Sequence, residues 1–224
     1  SLTEFLKMLK RFDNRRATIT LMPQLEFLTL RKIYFLLAIF LFTLFIFFSY
    51  LVSKELFTQF DFDTTVKIQD RISDRFDLSF SIFSLIGSLE ITGVVWLTLV
   101  AVALFKRWWL TLIVILFLFP LSQGFELFGK FFLLHPGPPF LFYRAELPFN
   151  FPTSYIHTDY SYPSGHSIRV SFLVVLFLSW ISTHFHGFAR LLLQSTFGLF
   201  LFLMLVSRIY LGEHWTTDVI GGSL

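Results

Sequence analysis

Five stretches of this chain are long, apolar and nearly free of charge, and such runs have few structures open to them. They cover roughly 33–52, 82–105, 108–128, 167–181 and 191–206. In hydrocarbon every backbone N–H and C=O must be satisfied within the protein, which makes a helix the form for a single run of this length. The fold expected is therefore an all-α, polytopic transmembrane bundle of five to six spans. A sixth span begins near Asp218 and is not completed within the 224 residues. Only 15% of residues are charged, against about 25% in soluble domains. The 33 Phe residues suit a surface turned towards acyl chains. Three interruptions, Glu90, Pro120 and Glu126, fall inside spans. The chain has no Cys, which excludes disulfides, thiolate ligands and a cysteine nucleophile.

The charges set an orientation. Residues 1–32 hold Lys7, Lys10, Arg11, Arg15, Arg16, Arg31 and Lys32, so this basic segment is placed in the cytoplasm. The apolar run that follows is too long for the core of a signal peptide. Two domains result: the basic segment 1–32 and a transmembrane domain 33–224. Leu2, Phe5, Leu6, Leu9 and Phe12 fit either an amphipathic membrane-surface helix or a solvated tail. With the N-terminus inside, loop 53–81, loop 129–166 and segment 208–218 are external. The Lys106-Arg107 turn and the turn from His184 to Arg190 are cytoplasmic. Val66, Ile68, Ile72, Phe76 and Leu78 recur at roughly helical spacing among charges, so residues 60–80 are read as an interfacial helix. Pro136, Pro138, Pro139, Pro148, Pro152 and Pro163 make 135–163 a structured, non-helical loop.

Three polar groups fall at span ends, all on the external side. The first is Pro163-Ser164-Gly165-His166. Ser is a favoured N-cap, and a helix N-terminus with free amides suits an anion such as phosphate. The second runs from Ser207 to Asp218. Arg208 closes an apolar run, where a cation is costly without a partner or a function, and its fork suits phosphate oxygens. His214 and Asp218 are four apart and would share a helical face. A carboxylate on one imidazole nitrogen leaves the other free as a nucleophile. The third is Lys130, which Glu126 one turn earlier would also satisfy as a plain ion pair. Lys and Arg beside two His and one Asp argue against a metal site, so no metal and no cofactor is expected. Glu90 is read as structural and Arg169 as the partner of a carboxylate, with an extension of the phosphate pocket as its other option. His157 and Asp159 are read as solvated, and His184 and His186 lie on the opposite membrane side.

These groups resemble the signature of the type 2 phosphatidic acid phosphatase superfamily: Lys-x6-Arg-Pro, Pro-Ser-Gly-His and Ser-Arg-x5-His-x3-Asp. The second is complete at 163–166. The third is complete at Ser207, Arg208, His214 and Asp218. The resemblance implies a six-helix core and metal-free phosphoryl chemistry. It implies that His214 attacks phosphorus to give a phosphohistidine, that Asp218 orients His214 and that His166 protonates the leaving group. Lys130, Ser164, the Gly165 amide and Arg208 would hold the phosphoryl oxygens. In the first motif the chain departs from the family: Gly137-Pro138 stands where Arg-Pro is expected. Arg144 further along the loop is the preferred substitute, with His135 second.

A site at the external interface favours a lipid phosphate over a soluble one. Phosphatidic acid, phosphatidylglycerol phosphate and an isoprenyl diphosphate such as undecaprenyl diphosphate all fit. A bacterial inner membrane suits the short connections, and no nucleic-acid partner is expected. Two other readings stay open: a lipid phosphotransferase, and a lipid-phosphate binding or transport protein without turnover.

Overall fold

The computed structural model describes residues 32–149, 151 and 160–224. The N-terminal basic segment, His157 and Asp159 lie outside the described residues. The chain forms two units, Ser1–Ile46 and Phe47–Leu224, and every candidate site residue belongs to the second. Among the described residues the chain is all-helical. The α-helices are α1 (Lys32–Ser53), α2 (Thr58–Arg71), α3 (Asp77–Leu85), α4 (Leu89–Phe105), α5 (Trp109–Phe132), α6 (Gly165–His184), α7 (Gly187–Tyr210) and α8 (Thr216–Ser223).

Five helical segments are long and apolar enough to cross a membrane: Lys32–Ser53, Asp74–Phe105, Trp109–Phe132, Gly165–His184 and Gly187–Tyr210. This is an integral membrane helix bundle. Each apolar run stops where polar chemistry begins: α4 at Lys106-Arg107, α6 at His184, α7 just past Arg208. The α6 segment sits at the centre, 39% buried against 17% or less for the other four. It packs on α4, α5, α7 and α8. Between α6 and α7, Val170, Val174 and Met204 close the core, with Phe83, Phe197 and Phe200 against them. Lipid chains are as apolar as these side chains, so close packing rather than escape from water holds the spans together.

Two elements differ from the sequence expectation. The second span begins at Asp74, with α3 following from Asp77, and is broken at residues 86–88, between α3 and α4. Ser88 restarts the helix by accepting the Ile91 amide at 3.3 Å, and the freed Gly87 carbonyl accepts Arg169 Nε at 3.3 Å. Irregular backbone inside a membrane protein needs such a partner.

The interfacial helix ends at Arg71 rather than near Phe80, because Ile72 turns extended. Its buried face is polar. Asp61, Thr65 and Gln69, spaced four apart, are buried, while Phe60 and Phe62 point outward. Gln69 Nε2 donates to the carbonyls of Phe142 (2.7 Å) and Tyr210 (2.9 Å). Thus α2 ties the stretch at Phe142, after α5, to the end of α7 through hydrogen bonds.

Candidate active site

The C-terminal end of α5 meets the N-terminal end of α6 around one carboxylate. Glu126 accepts Lys130 Nζ on Oε1 and Arg169 Nη1 on Oε2, both at 2.8 Å. The Glu126 carboxylate lies directly against Gly165, where any Cβ would overlap it. Glycine therefore lets the first turn of α6 come this close. Ser164 caps that turn, with Oγ accepting the Ser167 amide at 3.5 Å.

The end of α7 enters the same region. Arg208 is 4% exposed. It pairs with Glu213 and donates to Ser84 Oγ on α3. Its Nε has no hydrogen-bond partner, a buried donor left over in a structure where such groups are normally satisfied. The chain then leaves the helix at Gly212, whose φ of +67° and contact with the Phe142 carbonyl exclude a side chain. The amides of Glu213 and His214 both return to the Arg208 carbonyl, at 3.2 Å each.

His214 and Asp218 meet, but not on one helical face. His214 precedes α8, and Asp218 sits in its first turn. Asp218 Oδ2 reaches back to accept the Trp215 amide at 2.9 Å, as a helix-capping residue does, and accepts His214 Nδ1 at 3.2 Å. Capping geometry, not helical periodicity, makes the pair. The Asp218 backbone carbonyl accepts the Ser164 amide at 3.0 Å, joining α8 to the start of α6. Burial holds the His214 imidazole well below its usual pKa, and Arg208 and Lys130 push the same way. The ring is therefore neutral near pH 7. With Nδ1–H committed to Asp218, the lone pair is on Nε2. The charges acting most strongly on His166 are those of Arg208, Arg169, His214 and Lys130, which gathers these five side chains at one place.

The profile of the PAP2 superfamily matches residues 108–224, the stretch that carries Lys130, Ser164, Gly165, His166, Arg208, His214 and Asp218. The chain belongs to the PAP2 superfamily. Two curated proteins align with it over shorter segments. An undecaprenyl-diphosphatase of Sulfolobus acidocaldarius is 39% identical over 88 residues, 34% of this chain and 36% of that protein. Phosphatidylglycerophosphatase B of Bacillus subtilis is 32% identical over 72 residues, 29% of this chain and 33% of that protein. The chain thus matches about a third of the length of these relatives. The crystal structure of a transmembrane PAP2-type phosphatidylglycerolphosphate phosphatase from Bacillus subtilis superposes with a TM-score of 0.59 at 19% identity. It covers 81% of this chain and 86% of that one, and it shows the shared fold.

Of the residues expected from the sequence, Lys130, Ser164, Gly165, His166, Arg208, His214 and Asp218 all come together in this PAP2 domain. Arg144 lies elsewhere on the loop. Its guanidinium stacks 5.4 Å from the Tyr210 ring centroid, and its amide donates to the Leu211 carbonyl at 3.0 Å. His135 is buried and turned to Asp218, with Nε2 3.4 Å from Oδ1. Gly137 is exposed beside Ser161. Arg169 does pair with a carboxylate, and its charge also reaches both site histidines. Sequence reasoning passed over Glu213, Ser84 and Asp61. For Asp61 a signal existed in the four-residue spacing of Asp61, Thr65 and Gln69. Glu213 and Ser84 carry none, since their role depends on where Arg208 folds.

Proposed function

We propose that this protein is a membrane phosphatase that removes a phosphate from a lipid phosphomonoester or diphosphate through a phosphohistidine at His214, without a metal. The observation that carries the reading is the buried, neutral His214 held by Asp218 beside three cations, one of which, Arg208, keeps an unpartnered Nε. That orphan donor fits a phosphoryl oxygen. Nε2 of His214 attacks phosphorus while Asp218 stabilises the positive charge that grows on the ring. His166 gives a proton to the leaving oxygen. Lys130, Arg208, Ser164 and the Gly165 amide hold the phosphoryl oxygens, and a water on phosphorus then releases His214. Arg144 would supplement them only by leaving Tyr210, whereas Arg169 already stands among the cations that act on both histidines. We therefore place Arg169 ahead of Arg144 as the stand-in for the arginine absent at Gly137. The names of the relatives add a diphosphate and a phosphomonoester of lipids as substrate classes. The N-terminus faces the cytoplasm and the site opens on the external face of a bacterial inner membrane.

The test uses the full chain in detergent with EDTA. Phosphatidic acid, phosphatidylglycerol phosphate and undecaprenyl diphosphate are offered, and free phosphate and phosphorylated lipid are counted separately. At least one lipid should release phosphate, and His214→Ala should abolish release. Transfer to a second lipid would support a phosphotransferase. Binding without any turnover would support the binding or transport reading.

A further inference from the structure

Asp218 has a second oxygen that the His214 contact does not use. Oδ1 is on a fully buried side chain and makes no hydrogen bond of ordinary geometry. A buried carboxylate oxygen left in this way is costly. His135 Nε2 stands 3.4 Å from it, on a side chain that is 8% exposed. The same Nε2 lies 3.2 Å from Thr217 Oγ1 and 3.9 Å from Asp61 Oδ2. Thr217 in turn gives both its donors to Asp61, the amide to Oδ1 at 2.9 Å and the hydroxyl to Oδ2 at 2.7 Å. These bonds have one consistent proton direction. His135 Nε2–H donates to the Thr217 oxygen with Asp218 Oδ1 3.4 Å away, and the Thr217 hydroxyl points at Asp61.

We propose that His135 is a positioning residue of the reaction, which grips the free oxygen of Asp218 and ties the His214–Asp218 pair, through Thr217, to the buried carboxylate of Asp61 on α2. This rests on the phosphohistidine reading and deepens it. The sequence offered His135 as a phosphate ligand in place of the missing arginine. Its contacts place it behind the nucleophile, on the far side of Asp218. The framework around it is fixed. The His135 carbonyl accepts the Ser161 amide at 3.0 Å and the Ser161 hydroxyl at 3.2 Å. The Tyr162 ring meets the imidazole edge-on at 6.2 Å between centroids. Trp215 Nε1 holds the next carbonyl, that of Pro136, at 2.8 Å.

The groups that face this chain and carry or exchange charge are few. Asp218 is met by His214, His135, Lys130 and the Ser161 hydroxyl. Asp61 is met by Thr217 and His135 and feels the charge of Asp218. Asp218 must be anionic to accept Nδ1–H and steady the imidazolium. A donor at Oδ1 favours that anion and a nearby anion opposes it. Removing His135 therefore moves the acid limb of the reaction to higher pH, and removing the charge of Asp61 moves it to lower pH.

The experiment is a rapid-mix, alkaline-quench measurement of labelled protein, using the full chain in detergent and 32P-labelled phosphatidic acid or undecaprenyl diphosphate, whichever the wild type turns over. The rate constant of label formation counts folded sites only, so partial misfolding does not imitate the effect. His135→Ala is expected to slow labelling at least tenfold with KM within about threefold, and to raise the acid limb. His135→Gln, which restores an amide donor, should recover most of the rate. Asp61→Asn should lower the acid limb. If His135→Ala instead raises KM with the labelling rate unchanged, His135 contacts substrate and the proposal is wrong. It is equally wrong if all three variants keep the wild-type pH profile. An absence of any label in wild type would overturn this inference together with the phosphohistidine reading. A label in wild type with unaltered variants overturns this inference alone.

Discussion

As the proposed nucleophile, His214 has to keep a free lone pair in a neighbourhood of cations. Burial, Arg208 and Lys130 all disfavour its protonated form, which keeps Nε2 free for attack at neutral pH. The same cations then oppose the imidazolium that forms on attack, unless the arriving phosphoryl group neutralises them. The proposed site is thus matched to an anionic substrate, because the charges that keep the nucleophile unprotonated are those that would bind the phosphoryl oxygens. In the proposed mechanism His166 has the complementary task on the leaving side. His166→Ala should slow turnover roughly 100- to 10,000-fold, the usual value of a positioned general acid. The loss should shrink with a diphosphate, whose leaving group needs less protonation, and labelled His214 should then accumulate. Steady-state rates on a monophosphate and a diphosphate, with the label counted in each, check this. Equal losses on both substrates would remove His166 from the proton-donor role.

At the scale of elements, α6 is positioned by its contact with α5. The Glu126 carboxylate, fixed by Lys130 and Arg169, fills the space in front of Gly165. Gly165→Ala sets a methyl against a group that two ion pairs prevent from yielding. It should displace the α6 N-terminus and lower kcat/KM by on the order of 100-fold, the cost of a misplacement near 1 Å. Gly93 on α4 has nothing within 4 Å of a Cβ, so Gly93→Ala should be neutral or stabilise by up to about 1 kcal/mol. Melting in detergent and kcat/KM on the preferred lipid separate the two variants. This contact also marks where sequence reading stopped. The spans, the cap at Ser164 and the grouping of Lys130, His166, Arg208 and His214 were legible, because apolar runs and polar span ends are local signals. The capping bond that joins His214 to Asp218, the break at Gly87 and the polar buried face of α2 were not. The last two depend on partners distant in sequence, Arg169 for Gly87 and Thr217, Phe142 and Tyr210 for α2, whereas the first is a local cap whose four-residue spacing reads as a helical pair.

At the scale of the molecule, the apolar surface and the placement of charge make an orientation testable. The site gathers the ends of α5 and α7 and the start of α6, so it lies at one end of the bundle. The Lys106-Arg107 turn and the His184–Arg190 turn connect the opposite ends of α4 to α5 and of α6 to α7. Lys and Arg favour the cytoplasmic side, and those two turns carry them, so the expected orientation puts these turns inside. The site end carries mixed charge, with Asp61, Asp63, Asp70, Asp74 and Asp77 beside Lys67, Arg71 and Arg75. Because the chain has no Cys, single cysteines report position without background. Arg75 and His186 are both exposed. In intact cells a membrane-impermeant maleimide should label Arg75→Cys and spare His186→Cys until the membrane is permeabilised. The reverse pattern would put the phosphoryl site in the cytoplasm, and a lipid phosphate of the inner leaflet would become its substrate.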